Sequence, residues 1–93
     1  MSHIFFGKFL LGHVVATPGV MEATTDEERI SALTRHHNGD WGEVSTDDWK
    51  TNDEALESGS RLLSSYKSAN GVKFWIITEY DRSITTFLLP DEY

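Results

Sequence analysis

The sequence predicts an α+β fold: an N-terminal strand, two helices, then a three-strand antiparallel meander, with the helices on one face of an antiparallel sheet. Three observations carry this prediction. An apolar stretch stops at Pro18, two capped acidic segments with helical spacing follow, and after Gly59 the apolar period falls to two. The 93 residues fit a single domain, residues 1–93, and the absence of cysteine excludes disulfides and thiolate metal sites.

The first strand is predicted at residues 8–17, which are rich in Leu and Val and stop before Pro18. We expect this strand to be buried. The wider apolar segment 4–16 is too short for a helix that spans a bilayer, and Lys8 interrupts it, so neither a signal peptide nor a membrane anchor is expected. A cytoplasmic location follows as an expectation. Pro18 itself can open a short helical turn.

The first helix begins after Thr24 or Thr25, and Glu28 completes a capping-box pattern with Thr25. Its first turn is acidic, as the helix dipole favours. Asn38-Gly39 ends it. The residues at helical spacing within it are Ile30, Leu33 and His37.

The second helix begins after Ser45-Thr46, again with acidic residues in its first turn, and Gly59 closes it. One face is expected to carry Trp49, Asn52 or Asp53, and Leu56.

The last third of the chain has the pattern of a meander. Segments 61–67 and 72–80 flank Asn70-Gly71, which predicts a hairpin with a type I′ turn. Apolar residues lie on both faces of the second segment, which favours a central strand. Residues 84–89 form the last strand before Pro90.

The net charge of −7 lies entirely in the predicted helical section. Residues 22–57 hold 11 acids and three bases, a sum of −8, and between residues 40 and 57 seven acids meet only Lys50. Such a surface either keeps a small protein soluble or docks on a basic partner. Direct binding of nucleic acid is disfavoured, because it needs Lys and Arg to neutralise phosphates and no basic stripe is present.

Three segments could carry chemistry or recognition. His36, His37 and Asp40 lie near a predicted helix end, where histidines commonly cap or pack; an enzyme would use His36 and Asp40 with Glu79 or Asp81. No known catalytic loop or metal motif is present in the sequence.

A loop is predicted at Gly39-Asp40-Trp41-Gly42. Its tryptophan either fills a gap between helices and sheet or anchors a partner. In the turn 78–83, Asp81 is expected to bond its own backbone and Arg82 to pair with Glu79 or Asp81.

Most of the chain, from residue 12 to residue 93, resembles a family of short phage- and plasmid-associated bacterial proteins of undefined activity. The segments that carry the resemblance are RHHNGDWGE (35–43), NDEAL (52–56), GSRLLSSY (59–66), WIITEYDRS (75–83) and LLPDEY (88–93). Some members carry a restriction-subunit label, for which these residues give no support. The resemblance implies a mobile-element context and transfers no catalytic residue.

The leading hypothesis is a non-enzymatic acidic protein that docks on a basic surface of a host defence complex, as an inhibitor of the anti-CRISPR or anti-restriction type. The alternatives are a small His/Asp-dependent hydrolase or metal-binding enzyme, or a homodimerising structural module. No cofactor, metal, nucleic acid or membrane partner is expected. The predicted partner-binding residues are Asp40, Trp41, Glu43, Asp47, Asp48, Trp49, Asp53, Glu54 and Glu57.

Overall fold

A computed structural model describes residues 7–93, and residues 1–6, the start of the N-terminal apolar segment, lie outside the described part. The α+β class is confirmed. In chain order the elements are strand β1 (His13–Ala16), helices α1 (Pro18–Ala23), α2 (Asp26–His37) and α3 (Thr46–Ser58), strands β2 (Leu62–Lys67), β3 (Lys73–Thr78) and β4 (Ile84–Leu88), and a 3-10 turn (Pro90–Glu92). Within residues 7–93, no helix has the length and apolar character needed to cross a bilayer.

The sheet has the order β1-β4-β3-β2 and is mixed. Strands β2, β3 and β4 form the predicted antiparallel meander, but β1 lies parallel to β4, so the expectation of a wholly antiparallel sheet is wrong. Parallel pairing needs a long crossover, and the chain between β1 and β4, which contains all three helices, provides one.

Strand β1 differs from its prediction in length and in burial. It has four residues instead of ten, and all four are exposed because, in the part of the chain that the structure describes, β1 is an edge strand with only β4 beside it. The side chains of Val14 and Val15 keep 46% and 42% of their area in solvent. The expectation of a buried first strand is therefore wrong: β-branched composition indicates a strand, but it does not say whether a second strand covers it.

The predicted helix caps are present. Thr25 and Glu28 form a full capping box at α2, with the Glu28 amide 3.1 Å from the Thr25 hydroxyl. The Ser45 hydroxyl accepts from the amide of Asp48 at the start of α3, and Gly59 ends that helix with φ +79°. The turn predicted at Pro18 is the separate short helix α1.

The buried stripe of α2 is rotated from the predicted one. Arg29, Ala32 and His36 are buried. Of the predicted residues, Leu33 is half-buried against the core and His37 is half-buried, whereas Ile30 is 66% exposed. The reason is that polar groups find partners inside: the Arg29 guanidinium donates to the carbonyl and hydroxyl oxygens of Thr24. A prediction based on apolar spacing alone misses such residues.

The β2–β3 connection is a five-residue loop instead of a type I′ turn. Among residues 7–93, Arg82 is the one non-glycine residue with positive φ, so Asn70 does not have the backbone conformation that type I′ requires. Ser68 replaces that turn: its amide donates to the carbonyl of Val72 (2.9 Å), and its hydroxyl accepts from the Val72 amide and donates to Asn70 Oδ1.

The helices pack on one face of the sheet, as predicted, over two neighbouring clusters. The first cluster joins α1 and α2 to the sheet and contains Val20, Ala32, Tyr66, Phe74, Ile76 and Phe87. The second joins α3 and the loop before it to β2 and contains Phe9, Trp41, Ala55 and Leu62. On the opposite face, the ring of Tyr93 meets Trp75 edge-on at 6.0 Å.

Candidate functional site

Helix α3 turns a row of carboxylates to solvent. Asn52 and Ala55 face the sheet and are buried. Because helical residues advance by about 100°, the residues three and four positions apart on the far side form one surface. We call this surface the acidic face; its carboxylates are Asp47, Asp53, Glu54 and Glu57, all exposed, with Lys50 among them. Four acids and one lysine leave a formal charge of −3 there.

Internal ion pairs do not neutralise the acidic face. The three salt bridges of the described residues join Asp26 to Arg29, Asp40 to Arg35 and Glu43 to Lys67. The four carboxylates of the acidic face are in none of them. The predicted partner-binding residues Asp40 and Glu43 are in two of them, at 2.8 Å and 4.0 Å, so they contribute less field than the sequence suggested.

The ion pair at Asp40 is the stronger of these two. The Arg35 guanidinium donates two hydrogen bonds to its carboxylate, and this hydrogen bonding lowers the pKa of Asp40 and raises that of Arg35. The Asp40 carbonyl also accepts from the hydroxyl of Tyr66 (2.6 Å). Asp40 thus fixes the loop after α2 to β2.

Asp48 lies apart from the acidic face. It lines a cleft of about 210 Å³ between α3 and β2, together with Arg61 and Leu63. Its exposed carboxylate therefore faces Arg61 and the edge of β2, whereas the four carboxylates of the acidic face surround Lys50 on the outer side of the helix.

Two open grooves run along the acidic face. The first, of about 390 Å³, is lined by Val44, Trp49, Lys50 and Asp53 among others. The second, of about 560 Å³, shares Lys50 and Asp53 with it and continues to Glu57. Trp49 is 36% exposed and gives the first groove an apolar wall. A long basic side chain finds both an aromatic ring and carboxylates there.

Trp41 is fully buried, so the idea that it is an exposed anchor for a partner is wrong. It fills the space between α3 and β2, stacked on Phe9, and its indole N–H donates to Asp53 Oδ1 at 3.0 Å. That bond holds one carboxylate of the acidic face in place. The structure confirms the other interpretation, in which Trp41 fills the gap between the helices and the sheet.

His36 is fully buried at the centre of a chain of hydrogen bonds. Its Nδ1 lies 2.5 Å from the Ser64 hydroxyl and its Nε2 lies 2.9 Å from the Thr78 hydroxyl. Thr78 in turn contacts the Thr85 hydroxyl at 2.8 Å, and Thr85 reaches the carbonyl of Leu11 at 2.7 Å.

The last carbonyl sets the direction of every bond in this chain. A carbonyl only accepts, so Thr85 donates to Leu11, Thr78 donates to Thr85, and His36 donates from Nε2 to Thr78. Nδ1 is then left to accept from Ser64. Neutral His36 satisfies this arrangement, and burial, followed by the charges of His37 and Arg82, lowers its pKa to about 3.

Asp40 and Asp81, which an enzyme would use together with His36, take no part in the hydrogen bonds of His36. Asp40 pairs with Arg35, and Asp81 accepts from the amide and hydroxyl of Ser83, as expected of a turn. Ser64 is itself fully buried. Within residues 7–93, no three His, Asp or Glu side chains form a group that could hold a metal ion.

Arg82 has a different role from the predicted pairing with a carboxylate. With φ +59°, it directs its guanidinium to the carbonyls of Glu79, Ser60 and Ala55. Positive charge at the carboxyl end of a helix is favourable, so Arg82 stabilises the end of α3. The predicted pairing with Glu79 or Asp81 carboxylates is wrong because the backbone oxygens are the acceptors.

Sequence reasoning missed the hydroxyl partners of His36. Ser64, Thr78 and Thr85 each lie on the helix-covered face, in line with apolar neighbours such as Ile76. The available signal was a hydroxyl residue at an inward position of a strand. The sequence does not show, however, which polar side chain of the helices such a hydroxyl faces.

No family model, curated protein or solved structure matches this chain. The resemblance to phage- and plasmid-associated proteins stays a prediction.

Proposed function

We propose that the chain is a non-enzymatic binding protein whose acidic face docks on a basic surface of another protein. The observation that carries the proposal is the row of exposed carboxylates on α3, which none of the described salt bridges neutralises. Carboxylates that are exposed and outside any ion pair can steer a basic partner and pair with it on contact.

Trp49 supplies the apolar part of this surface. It lies beside Asp53 in the first groove, so a lysine or arginine can stack on the indole while its charged head reaches the carboxylate. Tryptophan is also enriched among the residues that carry most binding energy in interfaces. We therefore assign Trp49 as the anchor.

The partner class follows from the resemblance and from the sign of the charge. Proteins that handle nucleic acid carry basic surfaces, which an acidic protein can occupy. A host restriction or RNA-guided defence nuclease fits both the charge and a mobile-element context, and the chain would act as its inhibitor in the cytoplasm.

Capture of partners from the native host tests this function with two matched baits. One bait carries Asp47→Lys, Asp53→Lys and Glu57→Lys; the control carries Glu22→Lys, Glu27→Lys and Asp91→Lys, with the same change in net charge at other exposed acids. We expect the control to retain a nucleic-acid-handling partner that the first bait loses.

Steered association also depends on salt, and the gain in on-rate at low ionic strength is about 10- to 1000-fold. Equal capture by the two variant baits, or binding that does not change with salt, would contradict the proposal.

A further inference from the structure

The two edge strands of the sheet, β2 and β1, differ in how their outward backbone groups are hydrogen-bonded. At the β2 edge, the Asn52 side chain donates to the carbonyl of Leu63 (2.7 Å) and accepts from its amide (3.2 Å). Backbone groups bind Ser65 in the same way: its amide donates to the carbonyl of Trp41, and its carbonyl accepts from the amide of Glu43. The outward backbone groups of Leu63 and Ser65, in the middle of β2, are therefore occupied.

Nothing within residues 7–93 covers the β1 edge in this way. The amides of His13 and Thr17 donate to the carbonyls of Ser83 and Phe87, so alternate residues of β1 point their backbone groups to β4. By the same alternation Val14 and Ala16 point theirs away from the sheet. No hydrogen bond within residues 7–93 reaches those outward groups.

Natural sheets usually protect an edge by making the strand short, as the four residues of β1 are, and by adding charges, proline, a bulge or a covering segment. The β1 sequence, HVVA, has no Lys, Asp, Glu or Pro, and its two valines are nearly half exposed. The occupant that satisfies such an edge is another extended strand, because only a backbone offers alternating N–H and C=O groups at this spacing.

We infer that the β1 edge is a self-association site, at which a second copy of this chain adds its own β1 in antiparallel orientation. With Val15 on the two-fold axis, Val14 of each copy lies opposite Ala16 of the other. The two pairs then exchange four N–H···O bonds. The edge is self-complementary, as a two-fold interface requires.

Charge also favours this edge over any other for two chains of −7. Strand β1 lies three strand spacings, about 14 Å, from β2, against which α3 packs. Joining two β1 strands therefore keeps the two acidic faces at opposite ends of an eight-stranded sheet. Both faces stay open for partners, and a dimer would bind a partner with two sites more tightly through avidity.

Sedimentation equilibrium of the full chain, from about 10 µM to about 1 mM, tests the inference in the range where small interfaces associate. We expect the mass to rise from one chain to two. Val14→Pro removes an outward N–H that β4 does not use, and edge strands tolerate proline there. It should weaken association at least about tenfold, since each dimer loses two donors. Val14→Thr keeps the N–H and the branched side chain and should associate like the parent.

Amide exchange gives a readout that needs no variant. The amides of Val14 and Ala16 should become slower to exchange as concentration rises, while those of His13 and Thr17 should not change. A monomer at every concentration, a Val14→Pro variant that associates like the parent, or a Val14→Thr variant that fails to associate would each overturn the inference. Association between equal charges should not weaken with salt, which separates it from docking on the acidic face.

Discussion

The buried His36 makes a specific prediction about stability against pH. Its pKa is about 3 in the folded chain, because burial disfavours the imidazolium, and about 6.5 when the chain is unfolded. Below pH 6.5 the unfolded state therefore binds one more proton than the folded state. The contribution of neutral His36 to the free energy of unfolding is fully present above pH 6.5 and is lost as pH falls toward 3.

The magnitude follows from the shift. Each pH unit in that window lowers the free energy of unfolding by about 1.4 kcal/mol. Between pH 7.5 and pH 4.5 only the lower two units count, so His36 alone removes about 2–3 kcal/mol. That is a large part of the total of roughly 5–15 kcal/mol that holds a domain folded.

Urea unfolding at four pH values between 7.5 and 4.5, on the parent and on His36→Gln, isolates this contribution. The glutamine amide can still donate to Thr78 but does not titrate in this range. Every other histidine and every carboxylate is present in both proteins, so their effects cancel in the difference. We expect the parent to lose about 2–3 kcal/mol more than the variant. Parallel pH profiles for the two proteins would refute the buried, neutral His36.

Two further predictions concern the support of α3. Trp41→Phe removes the N–H that binds Asp53 and leaves a small void, so it should lower the free energy of unfolding by about 1–3 kcal/mol, whereas Trp49→Phe should change it by less than about 0.5 kcal/mol. Equal effects at the two positions would contradict the placement of Trp41. Arg82→Ala removes the guanidinium hydrogen bonds to the carbonyls of Ser60, Glu79 and Ala55, of which the last two keep a backbone donor, and should destabilise by about 1–2 kcal/mol in the same urea assay. A change under about 0.5 kcal/mol would show that the guanidinium does not stabilise the end of α3.

Features set by neighbouring residues were predictable from the sequence. The capping box of Thr25 and Glu28 and the left-handed Gly59 follow from local chemistry, and both are present. The edge position of β1 and its parallel pairing depend on contacts about 70 residues away, which no local pattern encodes. The Asn70-Gly71 turn prediction failed for a local reason instead, since the Ser68 side chain forms a set of hydrogen bonds that the two-residue turn pattern does not include.

The candidate site likewise has some features that the sequence predicted and others that it did not. The row of carboxylates on α3 was predictable because helical spacing and charge are both visible in the sequence. Which of the acids are neutralised was not, since Arg35 and Lys67 reach Asp40 and Glu43 only in the folded chain. Trp41 and Trp49 look alike in the sequence, and the fold buries the first and leaves the second partly exposed.

Helix α3 presents a negative surface that none of the described salt bridges neutralises, with the Trp49 ring beside it. A titration of the chain with a hexa-arginine peptide, followed by amide and indole NMR shifts, measures this directly. We predict that the largest shifts fall on residues 47–57 and the Trp49 indole, and that they vanish at about 0.5 M salt. Shifts spread evenly over α1, β4 and α3, or unchanged in the chain carrying Asp47→Lys, Asp53→Lys and Glu57→Lys, would contradict it.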